Sequence, residues 1–402
     1  MPRMTSAFSR LALVLGLLSC VGPFAVDLYL PALPQITASL GTTASAAQMT
    51  FTAYFLAFGL AQLIFGPMAD WLGRKPPIYA GLAVFIAGSA ICAMAPDINW
   101  LVFGRFVQAL GAAAAMVIPR AIVRDMHTGT EATRLMALVM LVISISPMLA
   151  PLTGSAIIAV GSWRFLFVAL GLAAALAMAL TAWQLPETLP PERRVPLRPK
   201  AILRGCLDLM RDARFLGLTM TGGFGMASFF VFIGAASFVY TGHYGMSPVG
   251  FSLAFALNAI GFFGTSQLAA GLGRKHGMAR VAFLAVTGFA LCNGVLVTLV
   301  AFGFDALPVV MVLLFLGNAC LGLVIAPTMV MALDDHGENA GLASSLGGTL
   351  QMLAGALMLV LASPFFDGSV LPMVGAIAAC AACAFIIAVP TLGRNRTAPL
   401  HP

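Results

Sequence analysis

Gly66-Pro67-Met68-Ala69-Asp70-Trp71-Leu72-Gly73-Arg74-Lys75 closes an apolar run at 48–68, and its last three residues return as Gly273-Arg274-Lys275 after a run at 249–271. The offset between the two is 200 residues. A basic Gly-Arg-Lys turn at the same place in two stretches of that length marks an internal repeat, and parallel repeats of this size build membrane transporters.

Ten further apolar runs surround those two. The first set reads as helices at 11–30, 48–68, 77–95, 100–120, 135–158 and 164–185. The second reads as helices at 215–240, 249–271, 279–302, 307–332, 340–364 and 370–390. Each run is about as long as the roughly 20 apolar residues a bilayer span requires. The segment between the sets carries Pro186, Pro190, Pro191, Pro196 and Pro199 among Arg193, Arg194, Arg198 and Arg204. The expected fold is therefore an all-α integral membrane protein of 12 transmembrane helices in two pseudo-symmetric six-helix halves. The expected division is a first bundle at 1–185, a linker at 186–213 with a short amphipathic helix near Cys206–Arg214, and a second bundle at 214–402.

Composition excludes the alternatives. Hydrophobic residues make up 60% of the 402, and charged residues only 9%, against about 25% in soluble domains. So few charges cannot clothe a water-soluble enzyme of this length. The net charge of +7 is spread over turns, with no basic cluster interleaved with aromatics, so nucleic acid is not an expected partner. The partners are a lipid bilayer and a small molecule, and nothing requires more than a monomer. Arg3 and Arg10 precede the first apolar run as in a signal peptide, but the spans that follow make it a retained helix. Six of the seven cysteines lie in apolar runs, including the CxxC pair Cys380 and Cys383, so neither a disulfide framework nor metal chemistry is expected. The five histidines show no ligand spacing, and no GxxxxGK[ST] exists, so metal catalysis and ATP-driven pumping are both excluded.

Orientation follows from the basic residues. With the amino terminus in the cytoplasm, 19 of the 21 Lys and Arg residues fall on that side, Arg164 lies outside, and Arg105 lies within a span. Such a bias places both termini in the cytoplasm. The acidic loop Asp334–Glu338 is a local exception that the rule tolerates.

Asp27 is the only acidic residue inside a predicted span. Counting about 1.5 Å per residue puts it about 6 Å below the outer end of the first helix, and Arg105 about 7.5 Å down the fourth. An acid and a base at similar depth in one half either pair or separate, Asp27 capping its helix in water while Arg105 snorkels. Gln108, Asn258 and Gln351 are polar groups within spans and, with Tyr29, candidate substrate-cavity residues. The aromatic residues of the seventh helix, Phe224, Phe229, Phe230, Phe232, Phe238 and Tyr240, either line a site for an amphipathic molecule or form a core or lipid-facing stripe, the second being the expectation. On the fifth helix Pro147, Pro151 and Gly154 share one face that packs closely and hinges, or merely kinks. At the turn of Gly66, Asp70, Gly73, Arg74 and Lys75, Asp70 is placed to meet an arginine or an inner helix terminus, the candidate being that of the eleventh helix near Asn339–Ala343, and Arg74 to meet Asp125.

These stretches carry a family resemblance. Gly66–Lys75 resembles the signature loop of the major facilitator superfamily. Asp27-Leu28-Tyr29-Leu30-Pro31-Ala32-Leu33-Pro34 resembles the first-helix motif of its drug:proton antiporters, Arg105-Phe106-Val107-Gln108 their RxxQ motif, and Ser146–Gly154 their fifth-helix motif. Together they resemble the Bcr/CflA subgroup of twelve-span exporters. Ala150 and Ser155 replace two glycines of the fifth-helix motif, and Ala270 stands where the first loop has Asp70. The resemblance implies proton-driven efflux of amphipathic drugs, of chloramphenicol or bicyclomycin type, across the bacterial inner membrane. It implies Asp27 and Arg105 as the coupling pair, the Gly66–Lys75 turn with Asp125 as a conformational latch, and no cofactor beyond the proton. The alternative on the same fold is a proton-coupled uptake symporter of a small metabolite.

Overall fold

The computed structural model describes residues 6–127, 129–334, 336 and 340–393. Arg3, Arg394, Arg396, His401, Glu338 and Asn339 lie outside the described residues. Those described are almost wholly helical, with no strand among them. The spanning helices are α1 (Ser6–Asp27), α3 (Ala44–Leu72), α4 (Lys75–Ala93), α5 (Ile98–Met126), α6 (Gly129–Val160) and α7 (Arg164–Gln184), then α9 (Ala213–Phe238), α10 (Pro248–His276), α11 (Met278–Ala301), α12 (Leu307–Asp334), α13 (Ala340–Ala362) and α14 (Val370–Gly393). Two shorter helices accompany them: α2 (Leu33–Ser39) continues the first span, and α8 (Pro199–Arg211) lies in the linker. The twelve long apolar helices make this a multi-pass membrane protein.

The chain forms two compact units, Met1–Thr42 with Ala53–Pro199, and Thr43–Thr52 with Lys200–Pro402. The division therefore falls inside the segment read as a linker. Residues up to Pro199 belong with the first unit and nearly all of α8 with the second, as do the first turns of α3. Within the first unit α4 packs on α5 and α7, and α1 on α5, α6 and α7. Within the second, α11 packs on α12 and α14, and α9 on α12, α13 and α14. Advancing each helix by six spans converts one set of pairs into the other, so the repeat is structural.

The repeat register differs from the one the Gly-Arg-Lys triplets indicate. Gly73 sits at φ +95 and ends α3, but Gly273 is inside α10, and the matching left-handed residue is Gly277 at φ +86. The second turn thus comes one helical turn later. Pro76 and Pro77 follow Lys75 and cannot extend a preceding helix, whereas His276 follows Lys275 and can. At the other end of the spans, Asp97 caps α5 by accepting the N–H groups of Asn99 and Trp100 at 2.8 and 3.0 Å. The fourth span also runs past its expected end, which puts Arg124 and Asp125 on helix rather than in a loop.

Candidate functional site

The polar chemistry of the first unit gathers around α5. One helical turn places Arg105 and Gln108 on the same face, and both are fully buried. Arg105 donates from Nη1 to the Ala25 carbonyl at 3.0 Å and to Gln108 Oε1 at 2.6 Å. Gln108 in turn donates from Nε2 to Ser89 Oγ at 2.8 Å, and Ser89 donates to the Phe85 carbonyl at 2.8 Å. The guanidinium carbon lies 4.3 Å from the ring centroid of Tyr54, 5.0 Å from that of Tyr29 and 6.0 Å from that of Phe167. Tyr54 is held by donating its hydroxyl to the Gly22 carbonyl at 3.0 Å. Arg105 Nε and Nη2, both buried, have no hydrogen-bond partner among the described residues.

Asp27 is the last residue of α1, two positions beyond the carbonyl that Arg105 grips, and is 4% exposed. It has neither an ion pair within 4.0 Å nor a hydrogen bond among the described residues. Tyr54 lies within electrostatic reach of both Asp27 and Arg105. Direct pairing of Asp27 with Arg105 is therefore not the arrangement seen. The alternative of a wet cap and a snorkelling arginine is not seen either, because both groups are buried. The arginine charge is dispersed over ring faces and two oxygens. The carboxylate stands at a helix carboxyl end, where the dipole opposes its charge, and without a counter-ion among the described residues. Such a group can be satisfied by a proton or by a cation.

The other expected positions separate into three places. Gln108 has both ends of its amide engaged and is fully buried, so it braces Arg105 rather than facing an open cavity. Tyr29 is also buried, its ring 5.7 Å from Phe167. In the second unit, Asn258 accepts from Asn318 Nδ2 at 3.0 Å and donates to the Ala254 carbonyl, which ties α10 to α12 and likewise leaves it buried. Gln351 is half-buried on α13 beside Gly222 and Gly223 of α9. Of the aromatics on α9 and its extension, all but the half-buried Phe224 are buried, with Phe229 stacked on Phe262 of α10 at 5.4 Å and Phe232 on Phe255 at 5.7 Å.

On α6, Pro147, Pro151 and Gly154 are all buried. A Cβ at Gly154 would stand 2.1 Å from the Leu28 carbonyl oxygen, so only glycine lets α6 approach the chain just past Asp27. The helix 5 motif thus supports the backbone next to the candidate carboxylate.

At the end of α3, Arg74 is clamped between two carboxylates. It donates to Asp70 Oδ1 at 2.6 Å and to Asp125 at 2.7 and 3.1 Å. Burial alone would lower its pKa, but hydrogen bonds and charge from Asp125 and Asp70 raise it above the usual arginine value. Gly66, one turn earlier in α3, adds no polar side chain. Asp70 meets an arginine, Arg74; of the eleventh-helix terminus, the other expected partner, Asn339 lies outside the described residues and the helix is described from Ala340. Sequence reasoning missed Glu187. Its carboxylate accepts the backbone N–H groups of Arg74 at 2.9 Å, Lys75 at 3.1 Å and Leu189 at 3.0 Å. Burial opposes its charge, yet the N–H groups of Arg74, Leu189, Lys75 and Thr188 hold it below the usual carboxylate range. Thr188 adds a bond to Asp125 Oδ2 at 3.1 Å. The available signal was an acid just after the sixth span, in a chain with only 14 acids. Lys75 places its ammonium 5.8 Å over the Tyr79 ring.

Residues 15–359 match the family described as Major Facilitator Superfamily. The chain belongs to this superfamily. It is 34% identical to the uncharacterized MFS-type transporter YdgK of Bacillus subtilis (strain 168), over 87% of each chain. It is 31% identical to a bicyclomycin resistance protein homolog of Haemophilus influenzae, over 92% of each chain. Its fold matches the crystal structure of a D-xylose-proton symporter with a TM-score of 0.75 over 98% of both chains, at 15% identity. The signature-loop resemblance of Gly66–Lys75 thus agrees with the family match and with the fold.

Proposed function

We propose that this superfamily member exports small amphipathic drugs from the bacterial cytoplasm across the inner membrane by exchange for protons, as a monomer with both termini inside. The observation that carries the reading is Asp27, a buried carboxyl without a counter-ion among the described residues, in the unit that holds Arg105 over Tyr54. A proton bound there removes an uncompensated charge, so proton binding favours whichever arrangement buries the group, and deprotonation favours one that gives it a partner. Protonation from outside releases drug outward and permits return, and deprotonation toward the cytoplasm restores drug affinity. Arg105 supplies the fixed positive charge against which that change is felt.

The direction of transport is supported by the name of the Haemophilus relative and by the fifth-helix motif, whose Gly154 abuts the chain just past Asp27. The basic bias of 19 residues to one supports the placement of the termini. Arg74, with Asp70, Asp125 and Glu187, ties the ends of α3 and α5 to the segment after α7, and acts as a brace that keeps the first unit rigid while helices move.

The test uses inside-out vesicles with a preset acid interior and a pH-sensitive dye. Adding a transported drug is expected to release protons from vesicles carrying the wild-type chain and not from those carrying Asp27→Asn. Proton release by the mutant equal to wild type would overturn the assignment of Asp27. Drug accumulation in the absence of any proton movement would overturn antiport.

A further inference from the structure

The geometry points to α8 as an interfacial helix that docks on anionic phospholipid headgroups of the inner leaflet. With 13 residues it is about 20 Å long and far short of a span. Its carboxyl end is separated from the spanning helix α9 only by Asp212, which caps α9 by accepting the N–H groups of Arg214 and Phe215 at 2.8 and 3.1 Å. Asp212 also meets His336, beyond the end of α12, at 3.1 Å. These contacts hold α8 at the level where the bundle leaves the membrane.

The helix has three distinct faces. Leu209 is buried, and Gly205 abuts Leu342 of α13, so one side packs on the second unit. Leu203, Leu207 and Met210, spaced by four and three, form another side and are 62%, 45% and 45% exposed. Lys200, Arg204 and Arg211 share the stripe alongside those apolar residues, and all three are exposed. Arg211 has Asp208 at 4.0 Å, the one acid on the helix. Arg193 and Arg198 add two more exposed cations just upstream, against Glu192.

An exposed apolar face at the membrane boundary, flanked on one side by cations, matches an acyl-chain boundary beneath negative headgroups. A protein partner would not need the helix to sit at that level. Lipid docking also explains why the linker keeps three large apolar residues outward while its flanking stripe is basic.

The experiment uses the full chain in vesicles of phosphatidylcholine alone or mixed with phosphatidylglycerol. An environment-sensitive fluorophore is placed on Leu207→Cys after the native cysteines are replaced by alanine. We expect a blue-shifted emission and several-fold stronger quenching by bromine-bearing lipid in the phosphatidylglycerol vesicles. Raising salt, or replacing Lys200, Arg204 and Arg211 by glutamine, should reverse both. Amide hydrogen exchange of α8 in the unmodified wild-type chain provides a second readout, with slower exchange expected in the anionic vesicles. Equal exchange and equal quenching in both lipids would overturn the proposal. Water-like emission in both would also overturn it, by leaving the face free for another partner.

Discussion

Arg105 faces Tyr54 across 4.3 Å, guanidinium carbon to ring centroid, in a fully buried setting. A buried cation normally calls for a carboxylate, and the unit contains one at Asp27, but the arginine is instead held by ring faces, the Ala25 carbonyl and Gln108. The consequence is that Asp27 and Arg105 pack as separate groups, so their mutants should differ in kind.

Asp27→Asn is nearly isosteric and removes only the titration. The variant should fold but, held in the neutral form, bind drug more weakly, measured as a smaller drug-induced rise in Tm in detergent than wild type, and its drug-evoked proton release in inside-out vesicles should be lost.

Tyr54→Phe keeps the ring and loses the bond to the Gly22 carbonyl, an expected cost of about 1 kcal/mol. Tyr54→Leu also removes the face beneath the guanidinium, an expected further loss of about 2 kcal/mol. Thermal unfolding of the pair separates the two contributions. An equal Tm for both variants would show that Arg105 draws nothing from the ring face.

Glu187 contributes to stability through a carboxyl held below its unfolded value. That contribution is present above the ordinary carboxylate pKa and is lost as pH falls through the lowered folded value. Glu187→Gln should therefore melt below wild type near neutral pH, with the two curves converging in acid. A constant gap between them at every pH would contradict the N–H cradle.

Two glycines offer a contrast in steric cost. Gly73→Ala places a side chain at φ +95, with its Cβ 2.8 Å from Glu187 Oε2, and should cost about 1–2 kcal/mol. Gly154→Ala meets the Leu28 backbone at 2.1 Å, which a side-chain rotation cannot relieve, and should cost about 1–3 kcal/mol. Because Leu28 is adjacent to Asp27, Gly154→Ala should also impair transport in protein that still folds, whereas Gly73→Ala should act mainly on Tm. Both are checked by melting together with vesicle transport.

The twelve spans, the two halves and the family were legible in the sequence because a bilayer imposes a local rule: each crossing needs its own uninterrupted apolar run. The Arg74–Asp125 pair was also legible, since the charges of the turns are few. The turn register was misread by four residues, because Gly-Arg-Lys marks a stop at Lys75 only with Pro76 behind it, while α10 continues to His276. Glu187 reaches Arg74 across 113 residues, and Tyr54 reaches Arg105 from another helix, so no spacing in the chain encodes either contact. The sequence by itself determined which segments enter the membrane and which charged residues go with them. Only the tertiary structure decided that Arg105 rests on an aromatic ring, that Asp27 stands without a counter-ion among the described residues, and that Gln108 and Asn258 serve packing. Those outcomes depend on which helix faces are pressed together, and helix packing is a property of pairs of segments rather than of any one of them.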